Sequence, residues 1–487
     1  MICETPRVRF APSPTGYLHV GGLRTALYNY LFAKKTGGTF LLRIEDTDRK
    51  RYVEGAIESL INSLKWCGID YNEGPGKEGN VGPYLQSERL DIYKHHSLHL
   101  LEQGSAYYCF CTSERINILR EQQEAAGTQP KYDKHCLTLS KKEAADRISN
   151  GENHVLRLNI PAGNKVVFDD IIRGKVEFST DTIDDQILIK SDGYPTYHLA
   201  NVIDDHLMNI THIIRGEEWL SSTPKHVLLY QSFGWEIPLF AHLPLLLNAD
   251  RSKLSKRQGD VAVEDYRAKG FLKEALVNFV ALLGWTAGDD KEYYSLEELV
   301  EAFSLERVNK AGAVFDLQKL SWLNAEHLRR NSTADITRML KEELAESEYS
   351  SILFTDEYLN LVVDAMRERI SFVHEILENS KYFFTAPDDY DEAAIKKRWT
   401  TESAMYLNKY AGELETLQCT SKEDYEHALH KCTDELGIKA AQIIHPLRVA
   451  VSGVGGGPGV YDIVFIIGKE ETLRRIRRSI ELISPSR

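Results

Sequence analysis

Residues 8–44 read VRFAPSPTGYLHVGGLRTALYNYLFAKKTGGTFLLRI, and the order of apolar runs and chain breakers in this stretch decides the fold. Val8-Arg9-Phe10 is short and apolar-rich, and it ends in the Pro and Gly punctuation of Ala11-Pro-Ser-Pro-Thr-Gly16. From Leu23 to Ala33 the residues Leu23, Ala26, Leu27, Tyr30 and Leu31 recur at helical spacing, and Gly37-Gly38 predicts where the helix fades. Thr39 to Ile44 reads as a second strand. Strand, turn, helix and strand open a Rossmann-like, doubly wound parallel α/β sheet, in which ligands sit at the carboxyl ends of strands and the amino ends of helices.

Working outward, the pattern breaks between about residues 105 and 200 into cysteines, short strands (His154 to Ile160, Lys165 to Phe168, Gln186 to Lys190) and turn signals. This segment reads as an insertion. The sheet pattern resumes with a strand over Thr211 to Arg215, a helix over Thr223 to Phe233 and an apolar strand around Leu243 to Leu247. From Asp260 onward the chain reads as amphipathic helices, as in Leu359 to Leu377 and Glu426 to Leu436. The expected domains are therefore two halves of a sheet domain, 1–104 and 204–259, around an insertion at 105–203. A helical domain at 260–325 and an all-α region at 326–487 follow. The Gly453 to Gly459 stretch lacks the lysine and hydroxyl of a phosphate loop and the glycine spacing of a dinucleotide fingerprint, so it reads as a turn.

Composition is consistent with this division. A chain of 487 residues is expected to form roughly two to four domains. With 43% hydrophobic and 27% charged residues it is neither disordered nor membrane-embedded in character. No window approaches a transmembrane span and the start has no signal-peptide core, so the cytoplasm is expected. A monomer is expected as well. Seven cysteines, an odd number spread over a long chain, predict reduced thiols rather than a disulfide framework. The net charge of −13 argues against bulk attraction to nucleic acid. Local basic faces remain possible at Lys34-Lys35, Arg49-Lys50-Arg51, Lys396-Lys397-Arg398 and Arg474 to Arg478.

Two short motifs carry chemistry. His19-Val20-Gly21-Gly22 follows the first strand and loop and opens the first helix. Backbone N–H groups and the helix dipole favour phosphate there, glycine lets a ligand approach the backbone, and imidazole can donate to a phosphate oxygen. Lys253-Leu254-Ser255-Lys256-Arg257, about 230 residues further on, places three cations in five residues, which suits a triphosphate. Either motif alone means little. In their order and separation the two resemble the paired signatures of class I aminoacyl-tRNA synthetases.

The surrounding residues narrow the resemblance. Arg9 to Gly16, Arg43-Ile-Glu-Asp-Thr-Asp48, Tyr194-Pro-Thr-Tyr-His-Leu-Ala-Asn201 and Arg215-Gly-Glu-Glu-Trp219 are similar to the glutamyl-tRNA synthetases, and the helical last third fits their bacterial type. The likeness covers about residues 7 to 325. The general class I signature ends in a second histidine, where this chain has Gly22, as is usual in the glutamyl subgroup.

The resemblance implies a glutamate–tRNA ligase that activates L-glutamate with ATP and Mg2+ and transfers it to the 3′ terminal adenosine of tRNA(Glu). It implies that the insertion binds the acceptor stem, that 260–325 contacts the stem and that the last region binds the anticodon. It places the glutamate carboxylate between Arg9 and Arg215, its ammonium at Glu45, and the remaining contacts at Ala11, Ser13, Tyr197 and Asn201. Two guanidinium groups favour a carboxylate over an amide, which would present donors to donors. ATP would lie across His19 and Gly21, with adenosine near Glu218, Trp219 and Leu246, and phosphates near Lys253 and Lys256. Lys256 is the expected main stabiliser of the charge developing on phosphorus. Glu45-Asp46-Thr47-Asp48 could be mistaken for a metal cluster.

Cys109-Phe-Cys111 and Tyr132-Asp-Lys-His-Cys136 bring soft ligands to close spacing, as a structural tetrahedral Zn2+ site requires. Resemblance offers Tyr132 as the fourth ligand, or a histidine at the position held here by Thr138, and His135 is a further candidate. The rivals are weaker. A glutaminyl enzyme would have a β-barrel carboxyl half, a truncated transfer-RNA-modifying relative would end soon after the second signature, and a silent scaffold has no need of a complete pocket.

Overall fold

The computed structural model describes residues 5–77, 79–254 and 262–483. Ser255, Lys256 and Arg257 of the second motif lie outside the described residues. The chain divides into two compact units, Met1–Lys269 with Lys273–Leu320, and Gly270–Leu272 with Ser321–Arg487.

The first unit starts as the sequence predicts. Strand β1 (Arg7–Phe10), helix α1 (Val20–Thr36) and strand β2 (Thr39–Leu42) form a pair of parallel strands joined by the helix. Gly37 ends α1 in the left-handed conformation, at φ 66°, and its neighbouring Lys34 and Lys35 favour the negative end of the helix dipole. Helices α2 (Ala56–Trp66) and α3 (Leu90–Glu102) lead to the insertion.

There, strand β3 (Ala106–Cys109), helices α4 (Ser113–Ala125) and α5 (Lys141–Ser149) and strand β4 (Val155–Leu158) come first. Strands β5 (Lys165–Asp170), β6 (Gly174–Ser179) and β7 (Ile187–Ile189) follow. β3, β4 and β7 make a separate antiparallel sheet. β5 and β6, which the sequence places inside the insertion, instead form a hairpin on the main sheet, where Asp170 of β5 pairs in parallel with Phe240. Nothing local signals that long-range pairing.

Helix α6 (Tyr197–Leu207), strand β8 (His212–Gly216), helix α7 (Thr223–Phe233) and strand β9 (Leu239–Leu243) complete the sheet, in the order β6-β5-β9-β8. β1 lies beside β8, where the Thr211 N–H donates to Arg7 O at 3.0 Å and the Arg7 N–H to Thr211 Oγ1 at 2.9 Å. β1, β2, β8 and β9 are buried almost along their whole length, as parallel strands covered on both faces must be. Along β8, Ile213 joins the core beneath α6 and α7, and the Ile214 carbonyl accepts from Asn29 of α1 at 3.2 Å. The last apolar strand lies earlier than predicted. It ends at Leu243 because Pro244 follows, and only Leu246–Leu247 pairs again, with Ala313–Val314.

The second unit is helical over its described residues, from Thr333–Ala345 to Lys469–Ile483. The predicted Leu359 to Leu377 helix is broken. It stops at Met366, Ile370 is extended, and Glu375 takes the Ser371 and Phe372 N–H groups at 2.6 and 3.2 Å to start a new helix. The Gly453 to Gly459 stretch begins as the left-handed cap of helix Ala441–Ser452.

Candidate active site

The carboxyl ends of β1, β2 and β8 and the amino ends of α1 and α6 surround a cleft of about 1140 Å³. Every described residue expected to bind glutamate or ATP lines it: Arg9, Ala11, Ser13, His19, Gly21, Glu45, Tyr197, Asn201, Arg215, Glu218, Trp219, Leu246 and Lys253. Lys256 lies outside the described residues.

At one end His19 caps α1. Its Nδ1 accepts the Gly22 N–H at 3.1 Å, which fixes the ring's proton on Nε2 as a donor. A Cβ on Gly21 would stand 3.1 Å from the His19 ring, and one on Gly22 would stand 2.9 Å from Leu18 Cδ1. Both glycines therefore keep the helix entry close and the imidazole in place. At Gly22 a side chain would require Leu18 to shift. Arg24, buried on the same helix, donates to Leu283 O at 3.1 Å and to Pro244 O, and so ties α1 to the segment carrying Leu246. Trp219 packs on Tyr197 at 4.2 Å between ring centroids.

At the other end lies a charge network. Arg9 donates from Nε and Nη2 to the two carboxylate oxygens of Asp205, at 2.9 and 3.1 Å. Arg43 donates to the same carboxylate at 2.6 Å and to Glu45 at 3.1 Å, and Arg89 donates to Asp204 at 2.7 Å. Asp204 also accepts from Gln86 and Tyr93, at 2.8 and 2.9 Å. Three guanidinium groups thus meet three carboxylates, all buried. Burial pushes Glu45 above its ordinary carboxylate range despite Arg43 and Arg9. Asp205 is buried too, but Arg43 and Arg9 outweigh that cost and hold it below its ordinary range.

Arg215 is set apart from this network. Its Nε donates to His242 Nε2 at 3.2 Å, Nη1 to Tyr197 OH at 3.0 Å and to His226 Nδ1 at 3.3 Å, and Nη2 to Thr223 Oγ1 at 2.9 Å. Burial, then the Arg215 charge, keeps His226 well below its ordinary value. Among the described residues no carboxylate pairs with Arg215.

Glu45-Asp46-Thr47-Asp48 is not a metal cluster: Asp46 accepts the Ser87 N–H at 2.8 Å and Asp48 pairs with Arg51 at 2.7 Å, so the carboxylates do not converge.

The cysteine cluster does converge. Cys109, Cys111 and Cys136 place their sulfurs within 4.8 Å of one another, with Cys111 and Cys136 at 3.6 Å. The Tyr132 hydroxyl stands 3.3 Å from Cys109 Sγ and 3.4 Å from Cys111 Sγ. Ligand sulfurs at the usual zinc distance of about 2.3 Å are separated by about 3.8 Å in a tetrahedron, so this donor set fits Zn2+. The hydrogen bond from Cys136, with those from Tyr132 and Arg157, favours Cys109 as the thiolate. His135 and Thr138 are exposed and outside the cluster, which corrects His135 as a candidate ligand.

Each arginine of the Arg474 to Arg478 run has an acidic partner. Arg474 and Arg475 pair with Glu471, Arg477 with Glu415 and Arg478 with Asp388, and buried Arg475 further donates to Tyr382 O and Val451 O.

Sequence reasoning passed over Asp170, Asp204, Asp205, His226 and His242. The available signal was the adjacent pair of acids that follows Val202-Ile203 in the Tyr197–Leu207 helix, and a histidine inside the apolar run from Leu239 to Leu247.

Comparison with known proteins agrees with this geometry. The family model of tRNA synthetases class I (E and Q), catalytic domain, matches residues 6–322, and the Anticodon binding domain model matches residues 335–480. The chain is 55% identical over 493 residues to the glutamate–tRNA ligase of Chloroherpeton thalassium, covering 98% of each chain. It is 51% identical over 499 residues to that of Chlorobium luteolum, covering 99% of each. A solved glutamate tRNA ligase from Elizabethkingia meningosepticum, in complex with its amino acid, superposes with TM-score 0.93 at 41% identity, over 99% of this chain and 100% of that one.

Proposed function

We propose a course of reaction from the premise that this chain belongs to the class I tRNA synthetases of the E and Q type, and within them to the glutamate–tRNA ligases. The overall reaction activates L-glutamate with ATP to glutamyl-adenylate and transfers it to the 3′ terminal adenosine of tRNA(Glu), releasing pyrophosphate and AMP.

The observation that supports the assignment of roles is that one cleft joins a glycine-opened helix terminus to two buried arginines. In this reading the glutamate side-chain carboxylate lies between Arg9 and Arg215, and Glu45 receives the ammonium group. Ala11, Ser13, Tyr197 and Asn201 complete the amino-acid pocket. A carboxylate bridging guanidinium groups gains paired charged hydrogen bonds, whereas an amide leaves donors facing donors.

ATP lies along the terminus of α1. Its phosphates meet the backbone at Gly21, the Nε2–H of His19 and the cation of Lys253, and Lys256 joins them in the role expected from sequence. Adenosine takes the side formed by Glu218, Trp219 and Leu246. The α-carboxylate of glutamate is already a nucleophile, so no general base is needed. The residues align it with the α-phosphorus and stabilise charge as pyrophosphate leaves. Mg2+ accompanies the triphosphate and neutralises part of its charge.

Residues 105–203 serve the acceptor end of the tRNA, 260–325 its stem and 326–487 its anticodon, the last supported by the anticodon-domain match. Cys109, Cys111, Cys136 and Tyr132 hold a zinc ion that supplies structural crosslinking of the insertion when bound. In this reading the chain works as a monomer in the cytoplasm.

The test is steady-state charging with Lys253→Ala. The reading expects adenylate formation to slow by about 10²-fold or more with glutamate KM kept within a few-fold. An unchanged rate contradicts the placement of ATP.

A further inference from the structure

Two arginines face the amino acid in the reading above, and the structure treats their charges differently. Arg9 belongs to a closed set: Arg9, Arg43 and Arg89 against Glu45, Asp204 and Asp205. Among the described residues, Arg215 has only neutral acceptors. The arrangement spans three neighbouring strands at their carboxyl ends. Asp170 ends β5, His242 lies on β9, and Arg215 of β8 is the register partner of His242.

Asp170 Oδ2 lies 2.6 Å from His242 Nδ1, and its carboxylate also takes the N–H groups of Ile172, Arg173 and His242 at 3.0, 2.8 and 3.1 Å. A carboxylate held this way accepts the Nδ1 proton. His242 Nε2 is then a lone pair, aimed at Arg215 Nε–H at 3.2 Å and at the Thr223 hydroxyl at 3.1 Å. Thr223 in turn receives Arg215 Nη2. The Thr223 hydroxyl also donates to Trp219 O at 3.2 Å, but the opposite tautomer would still turn a donor toward the Arg215 guanidinium, which has no acceptor, and set the Nδ1 lone pair against the Asp170 carboxylate at 2.6 Å.

We propose that Asp170 and His242 are positioning residues for amino-acid selection: Asp170 sets the His242 tautomer, and the neutral ring holds Arg215 without supplying a counter-charge. The ligand carboxylate is then the first anion that Arg215 meets. A carboxylate in place of the ring would satisfy Arg215 in advance and remove its preference for glutamate over glutamine. Burial keeps His242 below its ordinary value against the opposing hydrogen bond to Asp170, with the Arg215 charge adding to the burial, which agrees with a neutral ring. This inference rests on the placement of glutamate at Arg215.

The experiment compares full-length wild-type protein with Asp170→Asn, His242→Gln, His242→Leu and the Asp170→Asn/His242→Gln double variant in charging assays. Asp170→Asn is nearly isosteric, but its amide turns a donor toward His242 and reverses the tautomer. Glutamate KM should rise about tenfold or more and the glutamate-over-glutamine ratio of kcat/KM should fall about tenfold, with ATP KM within about twofold. His242→Leu should behave alike. A glutamine amide can accept from Arg215 while donating to either residue at 170, so His242→Gln and the double variant should recover most of the loss. If Asp170→Asn does not fold, the His242→Gln and His242→Leu pair carries the comparison. The proposal is overturned if both His242 variants match wild type, if ATP KM moves as far as glutamate KM, or if the glutamine variants recover nothing. Arg215→Ala serves as the separate control. If it leaves glutamate KM unchanged, the glutamate site itself is misplaced, whatever the histidine variants do.

Discussion

Arg9 and Asp205 form a two-pronged buried ion pair, Nε to Oδ1 at 2.9 Å and Nη2 to Oδ2 at 3.1 Å, and Arg43 binds the same carboxylate at 2.6 Å. The pair makes the floor of the cleft a preformed surface, since Arg9 cannot swing away without stranding a buried anion.

Asp205→Asn leaves two buried guanidinium groups undercompensated and should cost about 3–5 kcal/mol of stability, measured by chemical denaturation. The pH dependence has a definite sign. Asp205 is held below its ordinary range, so its contribution is complete above the unfolded carboxylate range and is lost as pH falls through the lower folded value. The wild type should therefore lose stability on acidification more steeply than Asp205→Asn.

Glu45 shifts the other way, raised by burial against Arg43 and Arg9. It must be ionised to receive an ammonium group. Glutamate KM should therefore begin to rise on acidification above the ordinary carboxylate range, while ATP KM stays flat. In Glu45→Gln, glutamate KM should be raised by about 10²-fold and be insensitive to pH over that window. A wild-type KM that stays flat on acidification all the way into the ordinary carboxylate range would contradict the role.

The cysteine cluster predicts one zinc ion per chain on elemental analysis of purified protein. Cys136→Ser should lose it and raise tRNA KM, while glutamate and ATP KM values hold, because the cluster packs in its own small core with Tyr107 and Tyr132. Protein with a full complement of reduced thiols and no zinc after growth in zinc-replete medium would contradict the site.

The arginines of helix Lys469–Ile483 divide by burial. Arg474, Arg477 and Arg478 are at least one-third exposed and paired with acids, so alanine at each should change tRNA KM by less than about twofold and stability by less than about 1 kcal/mol. Arg475 is buried on two carbonyls, and Arg475→Ala should cost about 2–4 kcal/mol by denaturation.

The nucleotide end of the cleft was legible in sequence because its signals are local. Strand, Pro and Gly loop, His19 and the periodic helix to Ala33 lie within one short stretch, and the helix runs as Val20–Thr36. The insertion was legible only in part. Its cysteines cluster as expected, but β5 joins the main sheet through a single long-range pairing of Asp170 with Phe240 that no periodicity announces. The counter-charges of the pocket were hidden for the same reason. Asp205 meets Arg9 across 196 positions, and Asp170 meets His242 across 72. A sequence shows that a buried arginine needs partners, but not which distant acid or histidine supplies them.

Selection of glutamate for charging is measured most directly by one assay. Purified protein, ATP and tRNA(Glu) are supplied with either glutamate or glutamine, and kcat/KM is compared. The expected result is charging with glutamate, one AMP and one pyrophosphate per charged tRNA, and a preference over glutamine of about 10³-fold or more. Charging with glutamine at a comparable kcat/KM would contradict it.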